Sequence, residues 1–324
     1  MIIVRSPLRI SIAGGGTDIP SYYKLNESFF ISAAIDKYVY VSLVKPFEKG
    51  IYLKYSQTEK VKKISEIKHK IIKEVLQQEK DLNHIEITTL TDIPAKTGLG
   101  SSGSFTTGLI KSIYSYKKKI ISRRSLAELA CDIEINKLKY PSGKQDQYIS
   151  AFGGITEFKI NKKGYVTHKS LNLENEIVKK LENNLLLYFT GYSRNSSKIL
   201  GEQNKQTILN NKKIISNLDY VKNLAFEIKK AIVNGELKKF GHLMNEHWKY
   251  KLSRSKNMAN KSINNFYNYA LKNGAVGGKV VGAGGGGFLL FYTDKPSRLR
   301  GALRKIKLKE VKFKFDFEGV KQIL

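Results

Sequence analysis

Pro94-Ala95-Lys96-Thr97-Gly98-Leu99-Gly100-Ser101-Ser102-Gly103-Ser104 separates two segments of different periodicity. Before it, Ile85, Ile87 and Thr89 alternate as in a strand; after it, Phe105, Leu109, Ile113 and Tyr116 fall on one stripe of a helix. Glycines in such a turn bring the backbone close to a ligand, the first N–H groups of the helix lack partners, and the helix dipole favours an anion there. The segment therefore suits a triphosphate, with the Ser102 hydroxyl able to reach a cation bridging the phosphates and Ser101 or Ser102 as the expected helix cap. No Gly-Lys-Ser/Thr follows the glycines, so this is not a Walker A loop and the mechanics of P-loop enzymes do not transfer.

Working outward, Val4 to Ile12 alternates apolar residues with Arg9 and Ser11 and ends in Gly14-Gly15-Gly16, a strand entering a tight turn. A strand pair is expected across Phe29–Val44, and an amphipathic surface helix from Lys60 to Gln78, where Val61, Ile64, Ile67, Ile71, Val75 and Leu76 keep helical spacing. Ser125-Leu126-Ala127-Glu128 matches a capping box for the next helix. After Phe152-Gly153-Gly154 a β-hairpin region runs to about residue 178, and Leu185–Thr190 opens a second half made mostly of helices. A last glycine turn, Gly282–Gly287, leads into a strand at Phe288–Tyr292. Strands and helices mix without regular βαβ alternation, which indicates an α+β chain, and 324 residues favour two domains.

Composition removes several function classes. The longest apolar runs, such as Leu185 to Phe189, are far shorter than the roughly 18 residues of a membrane span, and the N-terminus lacks an export signal, so a cytoplasmic protein with no membrane partner is expected. The single Cys131 makes no intrachain disulfide and reads as a small core residue; no Cys or His pair has zinc spacing. A formal charge of +29 invites a nucleic-acid reading, but the lysines are scattered rather than gathered, and steering of anionic metabolites to a basic cleft is the better account.

A further constellation joins Glu134 to Pro141-Ser142-Gly143-Lys144-Gln145-Asp146-Gln147. Glu134 stands one helical turn from Ala130 and Cys131, a carboxylate among small and apolar neighbours that needs a partner. Magnesium is the natural one, and a surface pair with Lys137 the plain alternative. Asp146 is either a group that handles a proton or an Asx turn beside Gly143. Trp248 reads equally as core or as a substrate wall, while His242 and His247 have a spacing that suits neither zinc nor a triad and receive no catalytic role.

The eleven-residue turn closely resembles the phosphate-binding motif of the GHMP kinases. Ser6-Pro7-Leu8-Arg9-Ile10-Ser11-Ile12-Ala13-Gly14-Gly15-Gly16-Thr17-Asp18 resembles the family's N-terminal substrate motif in the form of its heptose-phosphate branch, and Val281-Gly282-Ala283-Gly284-Gly285-Gly286-Gly287-Phe288 its C-terminal glycine motif, which lies against the phosphate loop. The resemblance implies a two-domain fold, a mixed α/β N-terminal domain over residues 1–178 and a ferredoxin-like α+β domain over 179–324, with ATP and Mg2+ as cofactors. It implies that Lys96, Gly98, Leu99, Gly100, Ser101, Ser102, Gly103 and Ser104 bind the nucleotide and that Ser102 and Glu134 hold the metal. Asp146 then corresponds to the residue that accepts or orients the proton of the attacking hydroxyl, Arg9 sits near the transferred phosphate, and Gly15, Gly16, Thr17, Asp18, Gly284 and Gly285 meet the acceptor.

Gln145-Asp146-Gln147 departs from the Asp-Asn that follows Pro-Ser-Gly in mevalonate kinases, which argues against an isoprenoid substrate. Gly191 to Ser197 and His247 to Ser255 also resemble the heptose-phosphate branch, and Arg194, Lys251 and Arg254 are its candidates for a phosphate already on the acceptor, unless they are ordinary solvated cations. The activity implied is ATP-dependent phosphorylation of the anomeric hydroxyl of D-glycero-D-manno-heptose 7-phosphate, for a surface polysaccharide. An unphosphorylated sugar such as fucose or another hexose is the alternative, and a catalytically silent sensor or nucleic-acid binder is a third reading. Oligomeric state leaves no mark in the sequence.

Overall fold

A computed structural model describes residues 1–324 except 80–81, 192–195 and 256–257, so Arg194 lies outside the described residues. The first sheet holds β1 (Ile2–Ala13), β2 (Ser28–Val44), β3 (Ile51–Lys54), β4 (Thr58–Val61), β5 (Ile85–Thr91), β6 (Ile155–Ile160) and β7 (Val166–Ser170). The second is formed by β8 (Leu185–Phe189), β9 (Gly277–Val280), β10 (Phe288–Tyr292) and β11 (Lys309–Glu310), after which β12 (Lys321–Gln322) returns to pair with β1 in the first. Among the described residues only β3 and β5 pair in parallel, and the ladders of the second sheet are antiparallel. This is the α+β arrangement expected.

The spine of the first sheet is β2, one 17-residue strand rather than the pair expected over Phe29–Val44. It pairs with β1 along one side; on the other its first half meets β6 and its second half β5, so one long strand carries two short neighbours. Helix Ser101–Tyr116 packs along β1 and β2, as does helix Lys212–Val233. From Ser6 to Ala13 every residue of β1 is consequently buried, polar Arg9 and Ser11 included.

β1 is irregular where it matters. Its register against β2 shifts between Pro7 and Leu8 and again between Ser11 and Ala13. Proline has no N–H to give a ladder, and such bulges re-aim the residues that follow. The Pro7 carbonyl accepts from the buried hydroxyls of Ser104 (2.7 Å) and Ser150 (2.9 Å), and Arg9 N donates to Leu99 O at 3.0 Å instead of serving the sheet alone. The bulge thus ties β1 to the phosphate turn.

Two helix readings need correction. Lys60–Gln78 is not one helix but the end of β4, a 3-10 turn at Ile64–Glu66 and a helix at Lys70–Gln77. Buried Glu59 accepts from the backbone N–H of Lys68 (2.7 Å) and His69 (3.1 Å), which bends the chain where apolar spacing alone suggested continuity. The helix at Arg123–Cys131 is capped by Ser122, whose hydroxyl accepts from Ser125 N at 3.0 Å, so Ser125 is inside the helix and not its cap.

The main apolar cluster joins both halves: Ile10, Val41 and Leu109 belong to it together with Leu187, Ile228 and Leu290. The rings of Phe29 and Phe226 stack across the halves at 3.9 Å between centroids. The cleft described below lies at this junction, on a support that burial of many large side chains, each contributing about 1.5–3 kcal/mol, makes rigid. Among the described residues no helix is long and apolar enough to cross a membrane.

Candidate active site

The turn of residues 94–100 delivers the chain to helix Ser101–Tyr116 through Gly100, the cap residue, at φ 77°. No side chain caps this helix; the serines expected to do so are its first two residues, which leaves the N–H groups of its first turn open to a ligand. The C-terminal glycine motif lies against the same turn. A β-carbon on Gly282 would stand 2.5 Å from Gly98 O, and one on Gly287 only 1.9 Å from Thr97 O. Backbone packs on backbone here, and any side chain would part the two loops.

Two carboxylates converge on this cradle. Glu134 sits in a π-helical turn, Asp132–Lys137, that continues helix Arg123–Cys131. Such turns insert a residue and rotate the next side chains, and they concentrate at functional sites. Buried Glu134 accepts from Ser102 Oγ (2.9 Å) and Thr106 Oγ1 (2.6 Å), both on the phosphate helix. Burial is the main force that raises its carboxyl to about 7, with the Asp146 charge adding to it against the hydroxyl donors. The surface pairing with Lys137 is excluded, since that lysine meets Glu74 at 3.3 Å.

Asp146 stands in the first turn of helix Gln145–Phe152, so no Asx turn forms. Its Oδ1 accepts from Arg9 Nε at 2.7 Å, and Arg9 Nη1 donates to Gly98 O at 2.5 Å. Arg9 therefore links this carboxylate to the phosphate turn. The fit is close: a β-carbon on Gly103 would lie 2.5 Å from the Asp146 β-carbon.

Beyond Asp146 a narrow cleft, open at its mouth, runs between the two sheets. One wall holds Gly15, Gly16, Asp18 and Gln145. Asp18 accepts from Gly16 N and Gln145 N, each at 3.2 Å, and burial followed by the charge of Asp146 raises its carboxyl. The opposite wall holds His247, Lys251, Arg254 and Lys279, all less than a tenth exposed. Lys279 Nζ donates to Ile12 O at 2.6 Å, Arg254 to Asn217 Oδ1 (2.7 Å) and Gly15 O (3.1 Å), and Lys251 to Val280 O (3.1 Å) and Gly282 O. Burial, then the neighbouring Arg254 and Arg9, brings Lys279 down to about 7; Arg254 falls to about 10, and Lys251 and His247 well below their ordinary values.

The sequence models of the GHMP kinases match this chain in two places, the N-terminal domain at residues 65–154 and the C-terminal at 228–310. The D-glycero-alpha-D-manno-heptose 7-phosphate kinase of Campylobacter jejuni is 31% identical over 99% of this chain and 98% of its own length. This chain belongs to the GHMP kinase family. A crystal structure of a sugar kinase from Campylobacter jejuni superposes with a TM-score of 0.80 at 28% identity, covering 99% of this chain and 97% of that one. A D-glycero-D-manno-heptose 1-phosphate kinase from Bacteroides thetaiotaomicron shares the fold at a TM-score of 0.82 and 24% identity, covering 100% and 99%. The GHMP kinase in hand is accordingly an ATP-dependent phosphotransferase with an alcohol as acceptor.

The kinase brings together Arg9, Gly98, Gly100, Ser102, Gly103, Glu134 and Asp146 around the cradle, and Gly15, Gly16, Asp18, Lys251 and Arg254 around the cleft. Other expected residues turn elsewhere. The Thr17 hydroxyl is buried against Gly14 O and Ser28 Oγ, both at 2.8 Å, and holds the turn rather than facing the cleft. Ser104 is spent on Pro7 O, Leu99 is buried, and Lys96 points to solvent. Gly284 and Gly285 pack on Met258, whose carbonyl accepts from Gly285 N at 2.7 Å.

Sequence reasoning missed Thr106 and Lys279, and it gave His247, which lines the cleft, no catalytic role. Thr106 carried one usable signal, its place one turn after Ser102 on the same helix. Lys279 is the polar residue in a strand that is buried throughout, and a lone lysine in an apolar strand is a signal in itself, because lysines are almost never fully buried without a partner. Trp248 is core, 1% exposed.

Proposed function

We propose that this chain transfers the γ-phosphoryl group of ATP to the anomeric hydroxyl of D-glycero-D-manno-heptose 7-phosphate, in the cytoplasm, supplying heptose for nucleotide activation and a surface polysaccharide. The observation that carries the reading is the meeting of two carboxylates, Glu134 and Asp146, on one bare-backbone helix start, with Asp146 also lining the acceptor cleft. In this reading residues 1–178 supply the donor cradle and residues 179–324 the wall that meets the acceptor's phosphate.

Magnesium suits the residues present. Glu134 is a buried carboxylate raised to about 7 with two hydroxyls and, among the described residues, no ion-pair partner, so a divalent ion shared with Ser102 would remove the penalty that burial imposes. Such an ion takes few protein ligands and fills its shell with water and phosphate oxygens, and it would offset charge on the triphosphate.

The chain's own residues do the rest. The N–H groups that open helix Ser101–Tyr116 bind and orient the phosphates. Asp146 has Oδ1 committed to Arg9, which leaves Oδ2 to accept the proton of the attacking hydroxyl or to orient it. Arg9 fixes that carboxylate with respect to the cradle and adds positive charge where phosphoryl oxygens gather. Asp18 accepts from sugar hydroxyls, and Lys251 and Arg254 meet the phosphate the acceptor already carries.

The test is ADP release over a panel of free and phosphorylated heptoses and hexoses, with NMR of the product to locate the new phosphate. Turnover is expected to be fastest with the 7-phosphorylated heptose and to yield a 1,7-bisphosphate. Preference for free fucose or another free hexose would replace this acceptor and keep the chemistry.

A further inference from the structure

Four polar side chains on one wall of the cleft, His247, Lys251, Arg254 and Lys279, are buried without a carboxylate partner among the described residues. Each hydrogen bond that Lys251, Arg254 and Lys279 donate goes to a neutral oxygen. Arg254 Nη2 and both ring nitrogens of His247 are buried with no hydrogen-bond partner among the described residues. Leaving such groups unpaired is costly, most of all for a charge, so a site that keeps them is shaped for a ligand of opposite sign.

We propose that Lys279 and His247 complete, with Lys251 and Arg254, the subsite that grips the phosphate already carried by the acceptor, and that entry of this phosphate draws protons from solvent onto the wall. The inference rests on the kinase reading above and names the residues that set its acceptor class.

The facing groups leave room for a dianion. Arg9 on β1 adds a further positive charge. Asp146, on helix Gln145–Phe152, is tied to Arg9, and Asp18, on the turn after β1, holds two backbone N–H groups. Tyr22, on the short helix Pro20–Tyr23, lies near Arg254 but donates its proton to Asp219, and Gln203 and Asn217 are neutral. The cations belong to the acceptor's side: Lys279 reaches Ile12 O, and Arg254 reaches Gly15 O. No residue of the phosphate turn from 98 to 104 lines this cleft.

Proton linkage follows from charge. Burial holds Lys279 at about 7 when the site is empty, so near neutrality it is only partly charged. A phosphate monoester, mostly dianionic above about pH 6, restores the ammonium and pulls a proton in. The KM for the phosphorylated acceptor should therefore rise as pH climbs above about 7, in the range where Lys279 gives up its proton.

Two experiments test this. Calorimetry of the wild-type chain with heptose 7-phosphate, without nucleotide, at pH 7.5 in buffers of different ionisation enthalpy should show uptake approaching about one proton per site; no uptake overturns the linkage. Lys279→Gln should raise KM for heptose 7-phosphate about tenfold or more while KM for ATP stays within about twofold, and should drive the preference for phosphorylated over free heptose toward one. Lys279→Arg should keep that preference and lose its pH slope, which a merely structural lysine would not do. A rise confined to KM for ATP would assign the cluster to the donor's phosphates, and unchanged selectivity in active Lys279→Gln would remove the subsite. Wild-type enzyme that releases no ADP with any sugar would instead remove the kinase reading on which the subsite depends.

Discussion

The donor cradle and the cation wall of the neighbouring cleft store charge in opposite senses. At the cradle, Glu134 is a buried acid held up to about 7 by desolvation, with hydroxyl donors from Ser102 and Thr106 around it. At the wall, Lys279 is a buried base brought down to about 7 by desolvation, with a backbone carbonyl as its hydrogen-bond acceptor. In each, desolvation works against the charged form, and a ligand of the other sign would favour it. The cradle is mostly backbone and comes from contiguous residues; the wall is mostly side chains and comes from helix Leu237–Leu252, the turn after it and β9. A backbone site binds any polyphosphate, so selectivity between acceptors has to come from the wall.

Asp146, which faces both regions, offers the largest break in this comparison. Asp146→Asn should lower kcat about 10²–10⁴-fold in a coupled ADP assay with the fold intact by circular dichroism. A variant as fast as the parent would mean that the two regions do not meet at this carboxylate.

Glu134→Gln separates the regions. It should reduce kcat/KM for ATP about a hundredfold and leave KM for the acceptor nearly unchanged. Its sign with pH is fixed: the folded carboxyl titrates near about 7 and the unfolded one near 4.5, so the empty folded chain binds more protons between those values and this group's contribution to stability is lost as pH rises through them. Thermal melts without metal should therefore show Glu134→Gln gaining on the parent from pH 5 to pH 8.

Smaller effects sharpen the picture of the cradle. Gly103→Ala forces a β-carbon to within 2.5 Å of that of Asp146 and should cost about tenfold in kcat together with about 1–3 kcal/mol of stability. Thr106→Val removes one donor to Glu134 and should raise KM for ATP only a few-fold, with about 1 kcal/mol lost on unfolding by urea.

What was legible in the sequence follows the same division. The cradle works through its backbone, so it demands glycines in one run, and Gly98, Gly100 and Gly103 announced it. Asp146 was legible through the resemblance of its Pro-Ser-Gly segment to that of the family, the residues alone leaving an Asx turn open; Glu134 was legible as a carboxylate among apolar neighbours, although the π-helical turn that aims it was not. The cap of the phosphate helix was misread because left-handed Gly100, rather than a serine, ends the turn. The Lys60–Gln78 stretch was misread because its apolar spacing is shared by a strand end and a helix, and buried Glu59 breaks them apart through long-range bonds to Lys68 and His69. Lys279 was overlooked although it stands alone among glycines and valines, and His247 was set aside on its spacing from His242, since the closure of the opposite half of the chain over both comes from residues far away in sequence. Burial of a lone lysine is a property of the assembled fold.

The most direct test is a crystal structure of the kinase with a non-hydrolysable ATP analogue, magnesium and heptose 7-phosphate. The β- and γ-phosphates should lie about 3 Å from N–H groups of the helix start at Ser101 to Gly103, with the cation on Glu134, the anomeric hydroxyl on Asp146 and the sugar's phosphate on Lys279 and Arg254. A triphosphate bound away from that helix start, or a cation that Glu134 does not touch, would contradict the account.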